Sequence, residues 1–310
     1  MKTKLLLLQV LVLGLIICSS PCAGAEKLSY LWNSIFNPPK SGTLRLEDGY
    51  QATYYQIKLG KEQPEALIFF FTGSSPESLR YYFKSYFKGL DINATVFALQ
   101  KRHVRQFSIK ASEQYMTDNY LERWLSDDAY FIKYILENYD RPLPPKIIAF
   151  GVSEGGNRAL SAAAAFSEIT HLVVLGSGGL PQAEELKILS KYYGGTPEFF
   201  NQKYQEILSD PDATDRFFLG CPYKYWSHIL FFDPLPYYVN LDKPIFVAFG
   251  ENDRSVPVQS GYVLRDRFEE LGKDNLFFLE LPDCNHAFVD SQGVSQKNKV
   301  FAAVQEWAGL

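Results

Sequence analysis

The stretch KIIAFGVSEGG, residues 146–156, decides how the rest of the chain is read. Its first part, KIIAFG, is an apolar run of strand length without polar alternation, the pattern of a strand buried on both faces of a sheet. It runs directly into Gly151-Val152-Ser153-Glu154-Gly155, and an alanine-rich stretch of helical composition follows to about residue 166. The G-x-S-x-G pattern is common by chance, but between a buried strand and a helix it has a mechanical meaning. A sharp strand-to-helix turn strains the backbone at its apex, and flanking glycines remove the side chains that would clash there. The serine hydroxyl then stands above the sheet. The N–H groups and dipole at the start of the helix can stabilise a developing negative charge. Ser153 is the candidate nucleophile.

Strand-like and helical patterns alternate on both sides of this turn. Upstream, 43–47 and 50–58 read as paired strands joined at Asp48-Gly49, and 66–72 (ALIFFFT) as a buried strand. Residues 76–88 read as a helix with Ser74 or Ser75 as N-cap, 94–99 as a strand, and 101–103 (KRH) as part of a solvated loop. One long helix is expected over 117–139, ended by Pro142, Pro144 and Pro145. Downstream come strands at 171–175, 244–250 and 275–281, with helices near 258–271 and 293–308. Such alternation predicts an α/β fold: a mostly parallel central sheet of about eight strands with helices on both faces. Residues 181–240 break the rhythm as a helical cap insertion, and 14 of these 60 residues are aromatic. Most of those rings are expected to form the cap's own core, the remainder an apolar or aromatic-accepting pocket.

A serine nucleophile needs a base, and the chain has four histidines. His171 opens a strand, at the wrong edge of the sheet. His103 and His228 lie in the loop after 94–99 and in the insertion. His286 follows the last strand, at the carboxyl edge where open α/β sheets bind ligands. The acid should follow PIFVAFG (244–250), where Glu251 and Asp253 are both available. Asp253 is preferred because the next helix begins just beyond it; Glu251 is the alternative. The acid holds the imidazole tautomer and stabilises the imidazolium. The order Ser…Asp…His along the chain resembles that of the α/β-hydrolase superfamily, over nearly the whole length after residue 25. A looser likeness, over Leu99 to Arg102 and on to Asp127-Asp128, is to proline-iminopeptidase-like peptidases and their esterase relatives. The superfamily resemblance implies an α/β-hydrolase fold and a Ser-His-Asp triad. It also implies an oxyanion hole from the backbone N–H groups of Ser74 and Glu154, with Ser75 as the other possibility for the first. The family's frequent His-Gly in the first oxyanion loop is replaced here by Thr72-Gly73-Ser74-Ser75.

The N-terminus reads as a secretory signal. Lys2 and Lys4 precede a 13-residue apolar run at 5–17, and Ala23-Gly24-Ala25 supplies a cleavage site after Ala25. That run is short of the roughly 20 residues a membrane span needs. Removal of residues 1–25, with two lysines and no acids, leaves a net charge of (31 − 2) − 35 = −6. A mildly acidic chain with no basic tract offers nothing to nucleic acid. The domain organisation expected is a signal over 1–25, a hydrolase core over 26–180 and 241–310, and a cap over 181–240. Cys221 and Cys284 are the cysteines outside the signal, and they either pair in an oxidising compartment or stay separate. These readings predict an exported serine hydrolase, secreted or periplasmic, acting on a small ester or short peptide with an apolar or aromatic group, with no metal or organic cofactor. An aminopeptidase or prolyl-peptidase-like activity, and a non-catalytic binding protein of the same fold, are the alternatives.

Overall fold

Alternating residues of the buried strands divide between two apolar layers, one on each face of a single sheet. In the computed structural model the described residues are 36–105, 111–139 and 142–310, so the expected signal lies outside them. In chain order the strands are β1 (Lys40–Arg45), β2 (Gln51–Leu59), β3 (Ala66–Phe71), β4 (Ala94–Leu99), β5 (Lys146–Val152), β6 (His171–Leu175), β7 (Phe217–Phe218), β8 (Cys221–Pro222), β9 (Ile245–Gly250) and β10 (Leu276–Leu281). The helices are α1 (Leu79–Tyr86), α2 (Glu113–Asp118), α3 (Leu121–Asn138), α4 (Gly155–Ala165), α5 (Gln182–Ile188), α6 (Pro197–Ser209), α7 (Tyr223–Ile229), α8 (Leu235–Val239), α9 (Gln259–Glu270) and α10 (Lys297–Ala308).

Eight strands form one sheet in the order β1-β2-β4-β3-β5-β6-β9-β10, and β2 alone runs against the others. Leu67, Phe69, Phe97, Ala149 and Val247 face one layer, with Phe131 and Ile132 of α3, Leu160 of α4 and Leu264 of α9. Ile68, Phe70, Val96, Phe150 and Phe246 face the other, with Phe83 of α1 and Phe301 of α10. Burial on both faces is why β3, β4 and β9 carry no polar alternation. The chain steps from β3 outward to β4, then crosses back to β5 on the other side of β3. The carboxyl ends of β3 and β5 therefore flank the topological switch point, where such sheets bind ligands.

Two local expectations need correction, and for the cysteines one of the two alternatives is observed. The first helix starts at Leu79, not 76, and its cap is Ser78, whose hydroxyl accepts from Arg80 N–H. The expected helix over 117–139 is two helices, because Asn119 and Tyr120 leave the helical region between α2 and α3. The cysteines are separate thiols, Cys221 in the insertion and Cys284 after β10.

Between β6 and β9 the chain builds α5 to α8 and the β7–β8 hairpin. Six of its rings, among them Phe200, Tyr204, Phe218 and Trp226, pack together with Trp124 of α3, so the insertion has its own core seated on the main domain. No helix among the described residues is long and apolar enough to cross a membrane.

Candidate active site

Ser153 sits at the apex of the β5–α4 turn with φ +54°, a left-handed backbone that a non-glycine residue adopts only under constraint. The constraint is visible on both sides. Ser153 N–H donates to Leu175 O at 2.8 Å, and Ser153 O accepts from Gly156 N–H at 2.7 Å. The motif glycines are required by close packing rather than by unusual dihedral angles. A Cβ on Gly155 would lie 2.1 Å from Phe71 O, and one on Gly151 would lie 2.4 Å from Gly155 O. Backbone atoms on both sides cannot give way as a flexible side chain would. Gly155→Ala is therefore expected to lose about 1–3 kcal/mol of stability, read as a lower denaturation midpoint. An unchanged midpoint would show that the helix can retreat from β3 without cost.

Asp253 and His286 follow β9 and β10, at the same sheet edge as Ser153. Asp253 Oδ2 lies 2.6 Å from His286 Nδ1. The carboxylate is fully buried while the imidazole is part-exposed, with side chains 0% and 28% accessible. Asp253 Oδ1 accepts from the N–H groups of Ser255 at 2.7 Å and Val256 at 2.9 Å, so both oxygens are oriented. An ionised carboxylate only accepts, so Nδ1 carries the imidazole proton and Nε2 is left as the basic nitrogen. Ser153 and His286 each adjoin the end of β6. Leu175 O holds Ser153 N–H, and the space beside Gly176 is filled by His286, whose Cε1 would lie 2.9 Å from any Cβ there.

The alternatives lie elsewhere. Glu251 accepts from the N–H of Asp283 at 2.8 Å and so holds the loop leading to His286. His103 pairs with Asp118 at 2.9 Å, His171 packs on Trp307, and His228 pairs with Glu122. The Thr72-Gly73-Ser74 turn after β3 approaches the nucleophile, a Cβ on Gly73 falling 3.3 Å from Ser153 Cβ. Ser74 and Glu154 both line a cavity of about 270 Å³ that contains Ser153. Of the insertion's rings, Tyr193, Tyr225 and Trp226 reach this cavity, beside polar groups such as Asn157, Gln182 and Glu185. Cys221 also lines it, but burial, reinforced by the Glu154 charge, pushes its thiol up to about 11 and keeps it a protonated, poor nucleophile. Among the described residues no group of three or more His, Cys, Asp or Glu side chains is placed to hold a metal ion.

The basic stretch at 101–103 is not the solvated loop that its charge suggested. Lys101 and Arg102 are buried. Lys101 Nζ bonds Glu154 Oε1 with both side chains at most 5% exposed, and it stands 4.2 Å over the Trp124 ring. Glu154 Oε2 accepts from Tyr225 OH at 2.7 Å, so the residue after the nucleophile is tied to both the β4 loop and the insertion. Arg102 makes two 2.7 Å bonds to Asp127, and Arg158 two 2.7 Å bonds to Asp128. These pairs and Glu185 are what the reading of the sequence missed. A signal for two of them was present: Asp127 and Asp128 fall on the face of α3 that carries Trp124, Phe131 and Ile132, and Arg158 interrupts an alanine-rich helix.

The sequence matches no protein-family model and no curated protein. Solved structures are similar in fold. An esterase from Pyrococcus furiosus shares 18% identity, with TM-score 0.59, covering 89% of this chain and 92% of that one. The esterase domain of a Rhodothermus marinus protein shares 15% identity, with TM-score 0.53, covering 86% and 97%. The acylaminoacyl peptidase of Pyrococcus horikoshii shares 14% identity, with TM-score 0.57 over 90% of this chain, which spans 42% of the peptidase's length. The chain has the α/β-hydrolase fold, as its sequence resemblance implied.

Proposed function

We propose that the protein is an exported serine hydrolase that cleaves a carboxylic ester or amide through Ser153, His286 and Asp253. The observation that carries this reading is the buried, doubly anchored Asp253 bonded to His286 beside a strained serine that opens on a cavity. A structural ion pair would not require the adjacent serine to be held at positive φ at a ligand-binding sheet edge. The fold shared with esterases, a lipase and a peptidase is consistent with hydrolysis of this class. Export rests on the N-terminal sequence pattern alone.

In the proposed reaction His286 Nε2 takes the Ser153 proton as Oγ attacks the carbonyl carbon. The tetrahedral oxyanion is held by backbone N–H groups of Glu154 and Ser74. Collapse of the intermediate expels the alcohol or amine, which receives the proton from His286, and leaves an acyl-serine. Water, deprotonated by His286, then adds to the acyl carbon, and collapse regenerates Ser153 and releases the acid. Asp253 stabilises the imidazolium at both steps.

Labelling of the mature protein with a fluorophosphonate tests the reading. Wild type is expected to be labelled and Ser153→Ala is not. A folded wild-type sample that resists labelling removes the hydrolase reading, and labelling that persists in Ser153→Ala places the nucleophile elsewhere.

A further inference from the structure

Among the residues lining the cavity at Ser153 is a glutamate for which the proposed reaction has no use. Glu185 lies on α5 of the insertion, is 8% exposed, and lines the same cavity as Ser153. Its hydrogen-bonding partner is neutral: the Ser260 hydroxyl of α9, which itself accepts from Leu180 N–H at 3.0 Å. None of the described residues lining the cavity is lysine, arginine or histidine. The buried cations Lys101 and Arg158 are engaged by Glu154 and Asp128. The remaining groups facing Glu185 are Asp253 after β9, Tyr238 of α8 and Tyr193 after α5, and none brings positive charge. A buried carboxylate without a counter-ion is costly, so such a group keeps its proton until a cation pairs with it. The rings of Tyr193, Tyr225 and Trp226 line the same cavity, and aromatic faces beside a carboxyl are the surroundings an organic cation favours.

We propose that Glu185, with Tyr193 and Trp226, forms a subsite for a protonated amine, so that the preferred substrates are esters or amides carrying an ammonium group near the scissile carbonyl. The inference deepens the hydrolase reading and rests on it for the word substrate; cation binding itself can be measured without turnover. Burial pushes the Glu185 carboxyl up to about 8, against the Ser260 hydrogen bond and with help from the Asp253 charge. The group therefore holds its proton at pH 7. An ammonium favours the carboxylate, so binding at pH 7 releases a proton. Affinity should rise as pH increases toward 8 and level above it, while the amine remains charged.

The test is calorimetry on the Ser153→Ala protein with benzylammonium and with benzyl alcohol, a neutral analogue of similar shape. Benzylammonium is expected to bind at least roughly tenfold tighter at pH 8, to release a proton at pH 7, and to weaken about tenfold or more between pH 8 and pH 6. In Ser153→Ala combined with Glu185→Gln the preference and the pH dependence should both disappear. Equal binding of the two probes, or a preference that survives Glu185→Gln, overturns the proposal. The pH dependence and proton release of the parent protein decide the matter even if the second substitution unfolds it. Benzylammonium should also slow fluorophosphonate labelling of wild type, and binding without protection would place the cation outside this cavity. Absence of labelling in wild type would count against the hydrolase reading and leave the binding result standing.

Discussion

Asp253→Asn is expected to lower kcat/KM for a chromogenic ester by about 10⁴ with the fold intact. The size follows from how the two carboxylate oxygens are used. Oδ1 is fixed by the backbone N–H groups of Ser255 and Val256, and Oδ2 by His286 Nδ1. An asparagine has one acceptor oxygen, and the two backbone donors hold it on their side. Its amide NH₂ then faces His286 Nδ1, which must accept rather than donate. That choice moves the imidazole proton to Nε2, on the serine side, and the ring can no longer take the Ser153 proton. Loss of imidazolium stabilisation adds to the effect. Glu251→Gln keeps the acceptor that holds Asp283 N–H, and it should change kcat/KM by less than about tenfold, since it touches neither His286 nor the reacting atoms. A large loss in Glu251→Gln with a small one in Asp253→Asn would exchange the two acids. Thermal unfolding of each variant separates lost chemistry from lost structure.

Arg158→Met should cost about 3–5 kcal/mol of stability, because it strands a buried carboxylate. The Arg158 and Asp128 side chains are 3% and 4% exposed. Their two 2.7 Å bonds join α4, the helix behind the nucleophile, to α3. A third bond, from Nη1 to Thr72 O at 3.3 Å, reaches the turn that approaches Ser153. With the guanidinium gone, Asp128 must be protonated or exposed, and the Thr72 carbonyl loses its donor. Adding Asp128→Leu to Arg158→Met should recover most of the loss, since an apolar pair avoids the desolvation of both charges. Chemical denaturation of the single and double variants measures this. If the double variant is no more stable than Arg158→Met, the pair is not what holds α3 to α4.

The α/β alternation and the strand–turn–helix at Ser153 could be read without coordinates because each has a local sequence pattern, whereas His286 was singled out by elimination and by its place after the last strand. A strand buried on both faces must be apolar throughout. A turn with its helix against β3 must have glycine where Gly155 meets Phe71 O. The choice between Asp253 and Glu251 was less legible, since both follow β9 within three residues, and what differs is their partners in space: His286 for Asp253 and the Asp283 N–H for Glu251. The charged residues were the least legible. Lys101 and Arg102 have the composition of an exposed loop, and their burial depends on Glu154, Asp127 and Asp48, each 25 or more positions away.

What the sequence determined by itself was the strand–turn–helix at Ser153 and the parallel sheet around it. Both follow from steric limits and burial periodicity, which act over a few residues. Only the tertiary structure decided that Glu185 shares a cavity with Ser153, that Glu154 is clamped between Lys101 and Tyr225, and that the cysteines stay apart. A charge finds its partner through space, across segments whose separation along the chain carries no pattern, so such contacts become visible only once the chain is folded.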